Sequence, residues 1–124
     1  MDNSNEMKNR SAQDAKRLIG IVGQSSLAWE IRKYGKNYSF VTHSAGHDAS
    51  IDITIGGGYQ VFVDDRAIRS KLSDFNGRNY FTNPEPALAE AERLLMLRVK
   101  NEKLNRKRRE AREERKWAAK RPIW

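Results

Sequence analysis

From Asn83 the chain reads NPEPALAEAERLLMLRVKNEKLNRKRREAREERKWAA, and between Pro86 and Ala119 it contains neither Pro nor Gly. Nothing in that stretch stops a helix. Asn83 suits an N-cap, and Pro84 suits the first helical position, where its missing N–H would have had no partner. Pro86 falls in the same first turn, among N–H groups that lack intrahelical acceptors. One helix of roughly 36 residues follows, about 54 Å long at 1.5 Å per residue. A compact body built from the remaining residues is only about 25–30 Å across. Half of the helix therefore projects beyond the body. Ala87, Leu88, Ala91, Leu94, Leu95 and Val99 form one apolar stripe that suits packing on a sheet, and the stripe stops at Val99.

The rest of the chain supplies that sheet. Ser11 followed by Asp14 reads as a helix N-cap with an acid in the first turn. Ala15, Leu18, Ile19 and Val22 continue at helical spacing, so a helix is expected over Ser11–Val22 after a polar, flexible lead-in over 1–10. From Leu27 the period changes to two. Leu27, Trp29 and Ile31 alternate with polar or small residues; Tyr38–His43 is rich in β-formers; Ile51, Ile53 and Ile55 alternate; so do Tyr59, Val61 and Val63. Tyr34–Asn37, Ser44–Asp48 and Gly56–Gly58 read as the intervening turns, the last as a flexible hairpin connection. Arg66–Leu72 fits a short helix or an irregular crossing, Asn76-Gly77 a turn, and Asn79–Phe81 an extended approach to the long helix. The expected fold is α+β: an N-terminal helix, a four-stranded antiparallel β-meander and a long C-terminal helix, with helices covering one sheet face. The expected divisions are a flexible segment 1–10, a compact domain 11–99 and a basic helical extension 100–124.

Composition narrows the function classes. The chain has 124 residues, of which 38% are apolar and 32% charged, enough for one domain with a modest core. With no Cys, disulfides, thiolate metal sites and thiol catalysis are excluded together. No run of 18 apolar residues is present and the N-terminus is polar, which points to the cytoplasm. Net charge is +8 and unevenly placed: residues 100–124 hold eleven Lys/Arg against four Glu, and residues 1–99 hold thirteen Lys/Arg against twelve Asp/Glu. A nearly neutral body with a basic tail points to a polyanionic partner.

Within the projecting half the charges are sorted. At 100° per residue, Lys100, Lys107, Arg108, Arg112, Arg115 and Lys116 lie within an arc of about 180°. Glu102, Glu110, Glu113 and Glu114 occupy most of the opposite side, with Lys103 and Arg106 as exceptions. Leu97, Leu104, Ala111 and Ala118 run down the basic arc at seven-residue spacing. A solvated helix held by pairs such as Glu102–Arg106 and Arg109–Glu113 is one explanation, each pair contributing about 0.2–0.5 kcal/mol. A coiled coil is a second, but its companion seam would be the polar set Asn101, Arg108 and Arg115. The third, a binding face for a polyanion, accounts best for the segregation. The six cations together with Trp117 are the expected nucleic-acid contacts: the cations on phosphates, and Trp117 (with Trp124, Arg121 between them) stacking on exposed bases.

The run KRREAREERKWAA over 107–119 resembles the arginine-rich RNA-binding peptides of lambdoid phage antitermination proteins, which combine clustered Arg, Glu and Ala with a Trp that stacks on an RNA loop. The resemblance covers about a tenth of the chain, sits C-terminally rather than N-terminally, and carries more Glu. It implies RNA contact through this helix.

The body offers little catalytic chemistry. His43 and His47 with Asp48 have a spacing that joins metal ligands on a helix, but here they fall at a strand end and turn, where turn polarity explains them better. Asp52 and Asp64, followed by Arg66, faintly resemble the acids of metal-dependent nucleases without the usual lysine. Gly56–Gly58 precedes no helix and so makes no phosphate loop. Arg32, Lys33, Tyr34, Lys36, Tyr38 and Phe62 are candidates for a single-strand-binding sheet face. The expectation is a non-enzymatic nucleic-acid-binding accessory or regulatory protein, without cofactor or metal, that touches DNA or RNA through its basic helix. The alternative is a non-catalytic modulator, such as a small phage-type inhibitor or adaptor, whose basic helix docks in an acidic groove of a larger protein.

Overall fold

A computed structural model describes residues 3–54, 56–69, 73 and 79–120. The expected turn at Asn76-Gly77, and Ile55, Lys71, Leu72, Arg121 and Trp124, lie outside the described residues. The elements are α1 (Asn3–Val22), β1 (Glu30–Tyr34), β2 (Asn37–Ser44), β3 (His47–Ile53), β4 (Tyr59–Val63), β5 (Arg66–Ala67), β6 (Tyr80–Phe81) and α2 (Pro84–Lys120). The fold is α+β, with an antiparallel sheet between an N-terminal and a long C-terminal helix.

The meander β1-β2-β3-β4 is present in sequence order. Its turns are tight because their backbones take positive φ. Ala45 and Gly46 (φ 49° and 84°) join β2 to β3, and Asp64 and Asp65 (φ 51° and 62°) join β4 to β5. Two central residues with φ > 0 are the mark of the type I′ hairpin, whose twist matches that of the strands. A fifth strand position, which the periodicity did not reveal, flanks β4. It is shared by two short pieces, β5 against Phe62–Val63 and β6 against Tyr59–Gln60. Val61 bridges the junction, accepting from Ile68 N and donating to Asn79 O. Of the short helix or irregular crossing expected over Arg66–Leu72, Arg66–Ala67 is edge strand, and residues 70–72 lie outside the described residues.

Strand register decides which side chains reach the core. Ile31, Phe40, Ile51 and Val61 share one row, as do Tyr38 and Ile53 beside Lys33. That face meets the helices: Phe40, Ile51, Ile53, Tyr59, Val61 and Val63 are buried with Leu18 of α1 and Ala87, Ala91 and Leu95 of α2. Each fully buried large apolar side chain contributes about 1.5–3 kcal/mol. Phe62, Ser39, Asp52 and Arg32 lie on the opposite, open face. The six residues proposed for a single-strand-binding sheet therefore do not share a surface. Arg32, Tyr34 and Phe62 face one way, Lys33 and Tyr38 the other, and Lys36 is in a turn. The Lys33 ammonium stands 5.7 Å from the centre of the Tyr38 ring.

Three local expectations need correction. α1 begins at Asn3, so 3–10 are helical, and Ser11 is a buried mid-helix residue rather than a cap. The segment NSNEMKNR lacks Gly and Pro, so nothing stops the helix extending backwards. β1 starts three residues later than Leu27. Leu27 and Trp29 instead pack on the core from the preceding loop, where Ser25 Oγ and Trp29 Nε1 both donate to Glu92 of α2. Gly57 and Gly58 form a tight junction. Both have positive φ (82° and 81°), and Gly58 N donates to Asp14 Oδ2 at 2.7 Å. A Cβ on Gly57 would lie 2.7 Å from that same oxygen, and one on Gly58 would collide with the Tyr80 ring. Only Gly permits α1 to approach so closely here.

The long helix follows expectation most closely. It starts at Pro84 and runs 37 residues, roughly 55 Å. Ala87, Ala91, Leu95 and Val99 are buried, whereas every residue from Lys100 to Ala118 is exposed.

Candidate nucleic-acid interface

Polar contact with the body continues one turn past the apolar stripe. His47, at the start of β3, points towards α2 and stands between two carboxylates. Its Nδ1 is 2.8 Å from Asp64 Oδ2, and its Nε2 pairs with Glu102. Asp64 Oδ1 accepts from Asp48 N at 3.1 Å, and its Oδ2 lies 3.5 Å from Arg98 Nη1. These contacts fix the azimuth of the helix just before it leaves the body. The hydrogen bonds to Asp64 and then Glu102 raise the His47 pKa above its ordinary 6.5. For Asp64, partial burial acts upward, but the bonds from His47 and the Asp48 N–H prevail and hold it below the usual carboxylate value.

Beside this cluster lies a groove of about 580 Å³ between α2 and the β4–β5 edge. Arg66 and Arg69 stand on the body side. Leu94, Leu97, Arg98, Asn101, Asn105 and Arg109 form the helix side, and Glu102 is the one acid among the described lining residues. Among the described lining residues, four guanidinium groups, of which Arg98 is paired with Asp64, meet one carboxylate that His47 already engages. Arginine forks bind phosphate oxygens in pairs, and Asn offers both donors and an acceptor to base edges.

The groove opens onto the projecting helix without a change of face. Looking down α2, Arg98, Asn101, Asn105, Arg108, Arg109, Arg112 and Lys116 fall within an arc of about 100°, with Arg115 about 20° outside it. No acid enters that arc. In the segment 100–118, the ion pairs among the described residues are those of Glu102, with His47 and with Arg106, the latter at 3.6 Å. The expected Arg109–Glu113 pair does not form. Apart from Arg98, which Asp64 engages, the cations of the stripe are thus available to an external anion.

The seven residues expected from sequence separate into three groups. Arg108, Arg112, Arg115 and Lys116 continue the groove. Lys100 and Lys107 line a second, smaller depression of about 290 Å³ with Met96, Val99, Lys103 and Leu104. Trp117 is 72% exposed but lies on the side of Glu110 and Glu113, about 170° from the middle of the expected basic arc. Arg66, Arg69, Arg98, Asn101, Asn105 and Arg109 were missed. Helical phase alone would have found the last four, whereas Arg66 joins only through its strand pairing with Val63, and Arg69 follows from the loop just after that strand.

The other candidates disperse. His43 pairs with Asp48 on the open sheet face, while His47 pairs with Ser44 on the helix face, so no shared ligand set arises. Asp52 accepts from Ser39 Oγ at 2.8 Å on the open face, away from Asp64. Among the described residues no group of three His, Asp or Glu is placed to hold a metal ion, and no helix is long and apolar enough to cross a membrane. Comparison with protein-family models, curated proteins and solved structures gives no match.

Proposed function

We propose that this chain is a non-enzymatic nucleic-acid-binding accessory protein whose contact surface is the arginine groove together with the basic stripe of α2. The observation that carries this is that the groove lined by Arg66, Arg69, Arg98, Asn101, Asn105 and Arg109, whose one described acid, Glu102, is engaged by His47, continues at the same helical phase to Arg112 and Lys116. Phosphates would be neutralised along the stripe, and the Asn pair in the groove supplies the hydrogen-bonding capacity that base contact needs. Trp117 has no part in this face. The cytoplasm is the proposed setting.

The test is a salt series of binding to single-stranded DNA, duplex DNA and RNA. About six cations on phosphates give a log–log slope near −5 on duplex DNA and less on single strands. The triple reversal Arg108→Glu, Arg112→Glu, Arg115→Glu should remove roughly half of that slope. Arg66→Ala with Arg69→Ala should weaken binding with no loss of fold, since both residues are exposed. Absence of affinity for all three at low salt would end this reading and favour an acidic protein groove as the partner.

A further inference from the structure

The side of α2 opposite the basic stripe carries a second pattern. Met96, Lys100, Lys103, Lys107, Glu110, Glu114 and Trp117 recur at alternating intervals of four and three, within an arc of about 100°. That spacing is the seam of two helices packed side by side. The seam is also sorted along its length. Its first half holds three Lys beside the depression formed by Met96, Val99 and Leu104; its second half holds two Glu and an exposed Trp. Met96 and Leu104 are 45% and 42% exposed, large apolar groups with no cover from their own body.

We propose that two copies of the chain pair antiparallel through this face. A parallel pair would stack Lys on Lys and Glu on Glu. About a twofold axis between Arg108 and Arg109, each mismatch becomes a match. Lys107 meets the partner's Glu110, Lys103 meets the partner's Glu114, and Lys100 meets the partner's Trp117. The indole then enters the depression bounded by Met96, Val99 and Leu104. Symmetry makes every contact twice, as an isologous interface requires. The bodies do not collide, because this register sets them roughly 50 Å apart along the paired helices. Both basic stripes remain facing outward, so the pairing neither uses nor requires the nucleic-acid surface.

The test is sedimentation velocity of the full chain without nucleic acid, across a wide concentration series. The wild type should pass from 14.3 kDa towards twice that mass. Lys103→Glu alone and Glu114→Lys alone should each remain monomeric, because each homodimer would oppose like charges twice. Mixed in equal amounts they should form a heterodimer, since both layers then match. Trp117→Ala should raise the dissociation constant at least roughly tenfold, as loss of a buried aromatic anchor does. All these positions are exposed, so unchanged far-ultraviolet circular dichroism of the variants accompanies the expected result. A wild type that stays at 14.3 kDa at the highest concentration overturns the proposal. So does a dimer indifferent to the single reversals, or a mixture that stays monomeric.

Discussion

The two halves of α2 have one backbone and opposite environments. From Pro84 to Val99 the helix is held by what lies beneath it: Ala87, Ala91 and Leu95 are fully buried against the sheet, and Glu92 anchors the Ser25–Trp29 loop. From Lys100 to Ala118 every residue is exposed. The inner half depends on packing for its stability. The outer half depends on intrinsic propensity, and its Ala, Arg, Lys, Glu and Leu are the residues that need least help. A helix made this way is a support, and its side chains remain available to ligands.

The sharpest way to break the comparison is to remove the same side chain from each half. Leu95→Ala should cost about 2–5 kcal/mol, since a fully buried leucine leaves a cavity. Leu104→Ala, 42% exposed, should change global stability in dilute solution by less than about 0.5 kcal/mol. Denaturant unfolding of both variants measures the contrast, and equal losses would show that the outer half is part of the core.

A smaller effect tests whether the halves unfold together. Ala91→Gly should lower the global stability by about 1 kcal/mol or more, because helix propensity and a buried methyl are lost together. Ala111→Gly carries the same intrinsic penalty. It should speed hydrogen exchange of the outer amides and leave the melting temperature of the body unchanged, because exposed segments open locally. A matched fall in melting temperature would make the helix one cooperative unit.

The smallest effect concerns the junction. A His whose pKa is raised on folding contributes stability that is fully present below its unfolded value near 6.5 and is lost as pH rises through the folded value. The wild type should therefore lose stability relative to His47→Gln as pH is raised above about 6.5. Asp64 behaves in the opposite sense: its contribution holds above the ordinary carboxylate value and disappears as pH falls through its lowered one. Thermal melts of the two proteins from mildly acidic to mildly alkaline pH check the first; parallel curves would remove His47 from the junction.

Much of the fold was legible because its signals are local. Pro84 and the absence of Gly mark one helix; alternation in Ile51–Ile53 and Tyr59–Val63 marks strands with one buried face; the end of the apolar stripe marks Val99. The broken edge strand was not legible, since two-residue pieces carry no period and exist only by pairing with β4. Part of the candidate site was readable by counting alone. Helical phase places Asn101, Asn105 and Arg109 beside Arg112 and puts Trp117 on the far side, with no tertiary information required.

What the amino-acid order determined by itself is therefore the long helix, its division into a packed half and a charged half, and the sorting of that charge around the cylinder, because each depends on residues a few positions apart. What only the tertiary structure decided is how that cylinder is turned. His47 between Asp64 and Glu102, and Arg98 against Asp64, set the rotation of α2. That rotation brings the Asn–Arg face opposite Arg66 and Arg69. These partners are nearly thirty or more residues apart in sequence, except the hairpin pair His47–Asp64. No local pattern records their meeting, because it is produced by the sheet register and by the packing of Ala91 and Leu95 onto it.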